Sequence, residues 1–318
     1  MKKLNGILSK PVDLADQMLL VGIFLAFLYW GFESFLNVFS PEDINIYRQV
    51  FGPKVSDMWL RLIVLCLFLI FGSHVQYTIN KRKDAEEALS DSYRKLRNAQ
   101  IITILGLAKL AEYRDEGTGT HLERIREYAK IIARELAKIP KYRNLITPEY
   151  IDDIYQSSIL HDIGKVGIPD AILLKPDKLT DEEFAVIKRH TLLGGDAIKA
   201  IESQIEGKSF LQMGKEIAYN HHEKWDGSGY PGGLKNEDIP LSARIVALAD
   251  VYDALTTGRF YKRAYSHEKT LQIIMDHKAT HFDPEIADVF LKLEDDFNRI
   301  REQQLRKDMT KIELPAMR

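Results

Sequence analysis

Five histidines and two aspartates dominate the chemistry open to this sequence: His121, the adjacent pair His161-Asp162, His190, the pair His221-His222, and Asp250. They recur at intervals of roughly 30 to 40 residues, each in or beside a segment that reads as helical. A single histidine is more often structural than ligating, but adjacent polar pairs in apolar surroundings are costly to bury unless they are paired or bind a metal. His161-Asp162 lies in such surroundings, within Ser157 to Lys165, and His221-His222 follows Ile217, Ala218 and Tyr219. Seven nitrogen and oxygen donors of this kind suit two adjacent cations with one carboxylate bridging them. Mixed imidazole and carboxylate donors favour Fe, Mn, Ni, Co or Zn over Mg or Ca. The lone cysteine, Cys66, sits in an apolar run, so no thiolate site or disulfide framework is expected.

The elements that must hold these donors belong to two unlike parts. The 318 residues average 45% hydrophobic and 28% charged with a net charge of −2, which gives no basic face for a nucleic-acid polymer. That average hides an apolar first quarter. Gln17 to Phe32 carries no formal charge, and accepting Glu33 extends the run through Phe39. At 1.5 Å per residue these lengths cover about 24 and 34 Å, against a hydrocarbon core of about 30 Å. Leu62 to Asn80 is equally free of charge and ends at Lys81-Arg82-Lys83. The pattern predicts a transmembrane hairpin over 1–80, with spans at about 17–39 and 60–80. Lys2, Lys3, Lys10 and Lys81 to Lys83 place both termini and the remaining chain on the cytoplasmic side.

Residues 81–104 contain no proline and read as a connecting helix. Ala85, Leu89, Ser92, Leu96 and Ala99 form about two heptads, which predict a homodimer through 81–100. From Ile101 the helix becomes much more apolar, which marks the entry to a globular domain, and 296–318 reads as a helical tail beyond it. The fold expected is all-α. Asp283-Pro284 reads as a helix N-cap with proline at the first position. Trp225 to Gly233 holds four glycines and cannot be regular structure.

Several runs resemble the HD-GYP subfamily of the HD phosphohydrolases. His161-Asp162 with Ile163-Gly164-Lys165 resembles the HD motif, and His221 to Pro231, containing Gly229-Tyr230-Pro231, resembles the extended signature. The likeness continues through Ile239 to Ile245, Asp250 to Leu255, Arg259-Phe260-Tyr261-Lys262 and Phe282-Asp283-Pro284, and covers about 105–295. It implies an all-helical, metal-dependent phosphodiesterase that hydrolyses the bacterial second messenger c-di-GMP to pGpG or GMP, acting with GGDEF-type signalling partners. It assigns the metal ligands to His121, His161, Asp162, His190, His221, His222 and Asp250, with Asp162 as the bridge between two cations, Fe or Mn first. Phosphate contacts fall on Lys165, Arg259 and Lys262, with Tyr230 at the substrate edge. Members with a third metal carry a glutamate where this chain has Gly117, which argues for two metals. Phe260 replaces a proline of the family pattern, and Ala279 a common glycine.

Two metals can hold an activating hydroxide and bind the phosphate oxygens. Lys165, three residues after Asp162, would reach the same phosphate, stabilise charge and protonate the leaving oxygen, so Asp162 and Lys165 are the catalytic candidates. Arg259 and Lys262 suit a second phosphate or a guanine edge. Trp225 and Tyr230 suit either a purine stack or anchorage of the loop. Glu112, Arg114 and Asp115 are candidates to support His121, while His74, His267, His277 and His281 read as structural or exposed. Two other functions compete: a non-catalytic receptor or scaffold for the dinucleotide or a protein, and a hydrolase of another cyclic dinucleotide such as cGAMP.

Overall fold

The structure is a computed structural model that describes residues 18–39, 46–52, 54–114, 120–204, 207, 209–257 and 264–312. It is all-helical, and the described residues contain no strand beyond an isolated bridge between Lys278 and Phe282. The chain divides into two compact units, Met1–Asn98 and Ala99–Arg318.

In the first unit, helix α1 (Met18–Leu36) runs antiparallel to the start of α3 (Val55–Glu112), with the short α2 (Ile46–Phe51) between them in sequence. The register is set at both ends. The Met18 amide donates to Gln76 Oε1 at 3.2 Å, and Glu33 pairs with Arg61 at 3.0 Å. Arg61 is 1% exposed and also donates to Ser34 Oγ and the Val50 carbonyl. Outward-facing side chains are large and apolar, among them Leu20, Phe24, Phe27, Leu67 and Ile70.

The expectation of two membrane spans needs correction. Among the described residues only α3 is long and apolar enough to cross a membrane; the apolar stretch of α1 covers Leu20–Leu36. Seventeen residues rise about 25 Å, short of the hydrocarbon core. The connecting helix is continuous with the second apolar run, as expected: α3 runs unbroken for 58 residues. No proline or cap interrupts it, and straight-chain residues with good helix propensity fill the stretch after Lys81.

The second unit is built on two central helices. In α4 (His121–Leu136) Leu122, Ile125, Ala129, Ile132, Ala133 and Leu136 recur at helical spacing and are buried. In α10 (Leu241–Thr256) burial extends to nearly every side of the helix. Around them lie α5 (Pro148–Ser157), α8 (His190–Glu202), α9 (Phe210–Asn220), α11 (His267–Asp276) and α12 (Pro284–Lys292), with the short α6 (Asp170–Leu173) and α7 (Asp181–Lys188) at the edge. Asp283 caps α12 by accepting from the Glu285 amide at 2.8 Å, with Pro284 at the first position.

The last helix, α13 (Glu294–Ile312), is not a tail in its first turns. Phe297 is fully buried, stacks on Tyr128 at 4.4 Å and meets Tyr252 and Phe290 edge-on. Burying one such ring contributes roughly 1.5–3 kcal/mol, enough to recruit the helix into the core.

Candidate metal centre

Six of the seven donors lie at helix ends, where the chain turns and a side chain can point along an axis rather than away from it. His121 and His190 are the first residues of α4 and α8, and His221 and His222 follow the last turn of α9. His161 and Asp162 join two 3-10 turns, Ser158–Leu160 and Ile163–Gly167. Asp250 alone is mid-helix, in α10. Gly164 makes the close approach of these pieces possible: a Cβ there would lie 1.9 Å from the His190 carbonyl oxygen and 2.4 Å from the Gly194 nitrogen.

The donor atoms fall into two groups, Asp162 with His190, His221 and His222, and His121 with His161 and Asp250; within each group they lie within 4.8 Å of one another. Asp162 faces both. Its Oδ1 is 3.2 Å from His190 Nε2 and 3.6 Å from His221 Nε2, whereas its Oδ2 is 3.5 Å from His161 Nε2 and 2.7 Å from Lys165 Nζ.

The far nitrogen of four histidines is already committed. Nδ1 of His161, His190 and His221 donates to the carbonyls of Ser158, Ile187 and Ile217, at 2.8, 2.7 and 3.0 Å. A carbonyl can only accept, so each Nδ1 carries the proton and each Nε2 lone pair faces the cluster. His121 is held differently, by the Asp253 carboxylate at 2.7 Å, and Asp253 is gripped by Arg124 at 2.6 and 2.8 Å. Burial alone would raise the Asp253 pKa, but Arg124 and then His121 bring it down to about 2.

Electrostatics keep the donors ready for a cation. Burial, reinforced by the neighbouring imidazole of His221, pushes His161 down to about 4 and holds His222 well below the usual histidine value. Burial would raise Asp162, yet the Lys165 ammonium beside it holds it well below the carboxylate range. His161 Nε2 and Asp162 Oδ1 are buried and make no hydrogen bond of acceptable geometry. Uncharged His161 and His222, an ionised Asp162 and orphaned buried donor atoms together fit divalent metal ions.

The glycine loop closes over this cluster. Glu223, 2% exposed, accepts from the amides of Gly232 at 2.6 Å and Leu234 at 3.1 Å. The amides of Trp225 and Asp226 donate to the His281 and Thr280 carbonyls. Gly229 passes so near the end of α9 that a Cβ would meet the Lys224 nitrogen at 2.3 Å. Tyr230 lands 4.7 Å from the His222 ring, whereas Trp225 sits under the Arg244 guanidinium.

Some expected roles shift. Arg114 does not support His121; it donates to the Val166 and Ile168 carbonyls and pairs with Asp170. Glu112 is buried at the end of α3. Asp115, Gly117, Arg259, Phe260 and Lys262 lie outside the described residues. Asp253, Arg124 and Glu223 were not anticipated as supporting residues; the only sequence signal was a second aspartate three residues after Asp250 in an apolar helix.

Comparison with known proteins agrees with this architecture. A family model described as an HD domain matches residues 106–286. A "Cyclic di-GMP phosphodiesterase" of Vibrio cholerae serotype O1 is 49% identical over 224 residues, covering 70% of this chain and 45% of that protein. A "Probable cyclic di-GMP phosphodiesterase" of the same organism is 51% identical over 205 residues, 64% of this chain and 46% of the relative. A third, "3'3'-cGAMP-specific phosphodiesterase 2", also from V. cholerae, is 38% identical over 206 residues, covering 65% of this chain and 37% of that protein. The chain spans about half or less of the length of these curated relatives.

Proposed function

The chain belongs to the HD-domain family, and from that premise we propose that it is a metal-dependent phosphodiesterase of the HD-GYP type that hydrolyses c-di-GMP to pGpG or GMP. The observation that carries the reading is the position of Asp162, one carboxylate whose two oxygens face two separate groups of histidine and aspartate donors. A scaffold that only binds a dinucleotide has no need of such an arrangement.

His121, His161 and Asp250 would hold one divalent cation and His190, His221 and His222 the other, with Asp162 between them; Fe or Mn suits the donor set. When bound, such ions supply Lewis acidity toward the phosphate and toward water. The chain does the rest. Burial of the histidine rings excludes bulk water and keeps His161 and His222 unprotonated. Lys165 Nζ, 2.7 Å from Asp162 Oδ2, brings a positive charge and a proton donor to the edge where a phosphate would sit. Tyr230 borders the same edge, and Arg259 and Lys262 are proposed to contact the second phosphate.

We further propose membrane anchorage through the apolar part of α3, with the enzyme on the cytoplasmic side of the bacterial inner membrane. Lys81, Arg82 and Lys83 at the end of the apolar run support that orientation. Exposed Leu89 and Leu96 support a homodimer seam along 81–100. GGDEF-type proteins that make the substrate are the proposed signalling partners.

The test is turnover. The full chain, purified in detergent and loaded anaerobically with Fe(II) or Mn(II), is expected to cleave c-di-GMP faster than 3'3'-cGAMP, and Asp162→Ala to abolish both activities. No turnover of either at full metal occupancy refutes the function, and undiminished turnover in Asp162→Ala refutes the site.

A further inference from the structure

Helix α7 is unusually well anchored for eight residues. Thr180 and Glu183 form a reciprocal cap, with the Thr180 amide donating to Glu183 Oε2 at 2.8 Å and the Glu183 amide to Thr180 Oγ1 at 3.3 Å. Lys175 grips the same Glu183 carboxylate at 2.7 Å. With its start fixed, the helix presents Phe184 and Lys188, one turn apart, on one face.

That face meets the glycine loop. The Phe184 ring stands edge-on to Tyr230 at 6.4 Å, and Lys188 Nζ lies 4.7 Å above the Phe184 ring and 5.3 Å from that of Tyr230. Tyr230 in turn lies 4.7 Å from His222. An aromatic shelf therefore runs outward from a candidate metal ligand, through Tyr230 to Phe184, with an ammonium group over its outer part. Phe184 is 43% exposed, a large apolar ring on an otherwise charged helix turn. Lys188 forms no ion pair among the described residues, although Asp181, Glu182 and Glu183 share its helix.

We propose that Phe184 and Lys188 form, with Tyr230, a guanine-reading subsite beside the metal centre. The inference rests on the cyclic dinucleotide reading above and adds residues that select the base. Aromatic faces stack on any base. Selectivity comes from Lys188: guanine offers two adjacent acceptors, O6 and N7, whereas adenine places an amino donor beside N7. An ammonium group over the shelf favours the first and opposes the second.

The experiment uses the full Mn-loaded chain with three substrates: c-di-GMP, c-di-AMP and the base-free diester bis(p-nitrophenyl) phosphate. Phe184→Ala is expected to raise KM for c-di-GMP about tenfold. Lys188→Met is expected to lower the ratio of kcat/KM for c-di-GMP to that for c-di-AMP by about tenfold, and Lys188→Arg to restore it. In Phe184→Ala, the loss on c-di-GMP should exceed that on the base-free diester. Equal losses on c-di-GMP and the diester in both variants, as simple loop packing would give, overturn the proposal. So does an unmoved c-di-GMP to c-di-AMP ratio in Lys188→Met. A wild-type protein that cleaves the diester but no cyclic dinucleotide overturns the functional reading together with this one; wild-type cleavage of c-di-GMP with unaffected variants overturns this one alone.

Discussion

Asp253→Asn separates two roles that one carboxylate performs. Asp253 is 1% exposed, accepts the Nδ1 proton of His121 at 2.7 Å and takes two hydrogen bonds from Arg124. Asparagine keeps the shape and one acceptor, but its amide nitrogen must face either His121 or Arg124, both of which donate. It also removes the carboxylate that pairs with the Arg124 guanidinium, itself 1% exposed. Removing one partner of a buried ion pair costs about 3–5 kcal/mol. For a unit of this size that is a fall of about 10 °C in melting temperature. Loss of the carboxylate behind a metal-binding histidine costs about 10–100-fold in metal affinity. The double variant Arg124→Leu/Asp253→Asn removes both members of the buried ion pair while leaving an acceptor for His121. Much of the stability should return in it, whereas the affinity for Mn stays reduced. Thermal melting of the metal-free full chain by circular dichroism and Mn titration by calorimetry read the two effects separately. Asp253→Asn melting within 2 °C of wild type, or a double variant that recovers nothing, would refute the reasoning.

Three other outcomes are expected. Lys165→Met should lower kcat for c-di-GMP by about 10²–10³-fold with bound metal unchanged by elemental analysis, because it deletes one charge aimed at the phosphate; loss of metal in parallel would assign Lys165 a structural role. Ala279 holds a left-handed backbone conformation, φ +65°, which suits glycine. Ala279→Gly should therefore stabilise by about 1 kcal/mol, raising the melting temperature by about 2–4 °C, and a lower melting temperature would contradict the strain. His281 is pushed down to about 4 by burial and then by Lys224, from an ordinary value of 6.5. Between those values the unfolded chain binds more protons, so this histidine removes stability as pH falls from about 6.5 to 4, by at most about 1.4 kcal/mol per pH unit. His281→Gln should gain on wild type as pH is lowered through that window, and parallel melting curves against pH would disprove it.

What was legible in the sequence was chemically distinctive or local. His161-Asp162 and His221-His222 stand out because adjacent polar residues in apolar runs need a reason, and Asp283-Pro284 announces a helix start by its residue types alone. The helical character of 81–111 follows from propensity. Roles that depend on contacts across the fold were not legible. Asp250 and Asp253 are the same residue type one turn apart, and only the packing of α10 against α4 turns one toward His161 and the other behind His121. Arg114, near His121 in sequence, is drawn instead to the carbonyls of Val166 and Ile168. Phe184 and Lys188 read as ordinary residues of a short amphipathic helix until Tyr230 is brought beside them.

The sequence by itself determined the candidate donors, nitrogen and oxygen without thiolate, and the helices that carry them, because side-chain chemistry and helical periodicity are local properties. Only the tertiary structure decided how seven donors from five distant segments divide into two groups around Asp162, and which aspartate and arginine stand behind them. Hydrophobic spacing specifies which face of a helix is buried but not which helix covers it, and the site exists only where several helix ends meet.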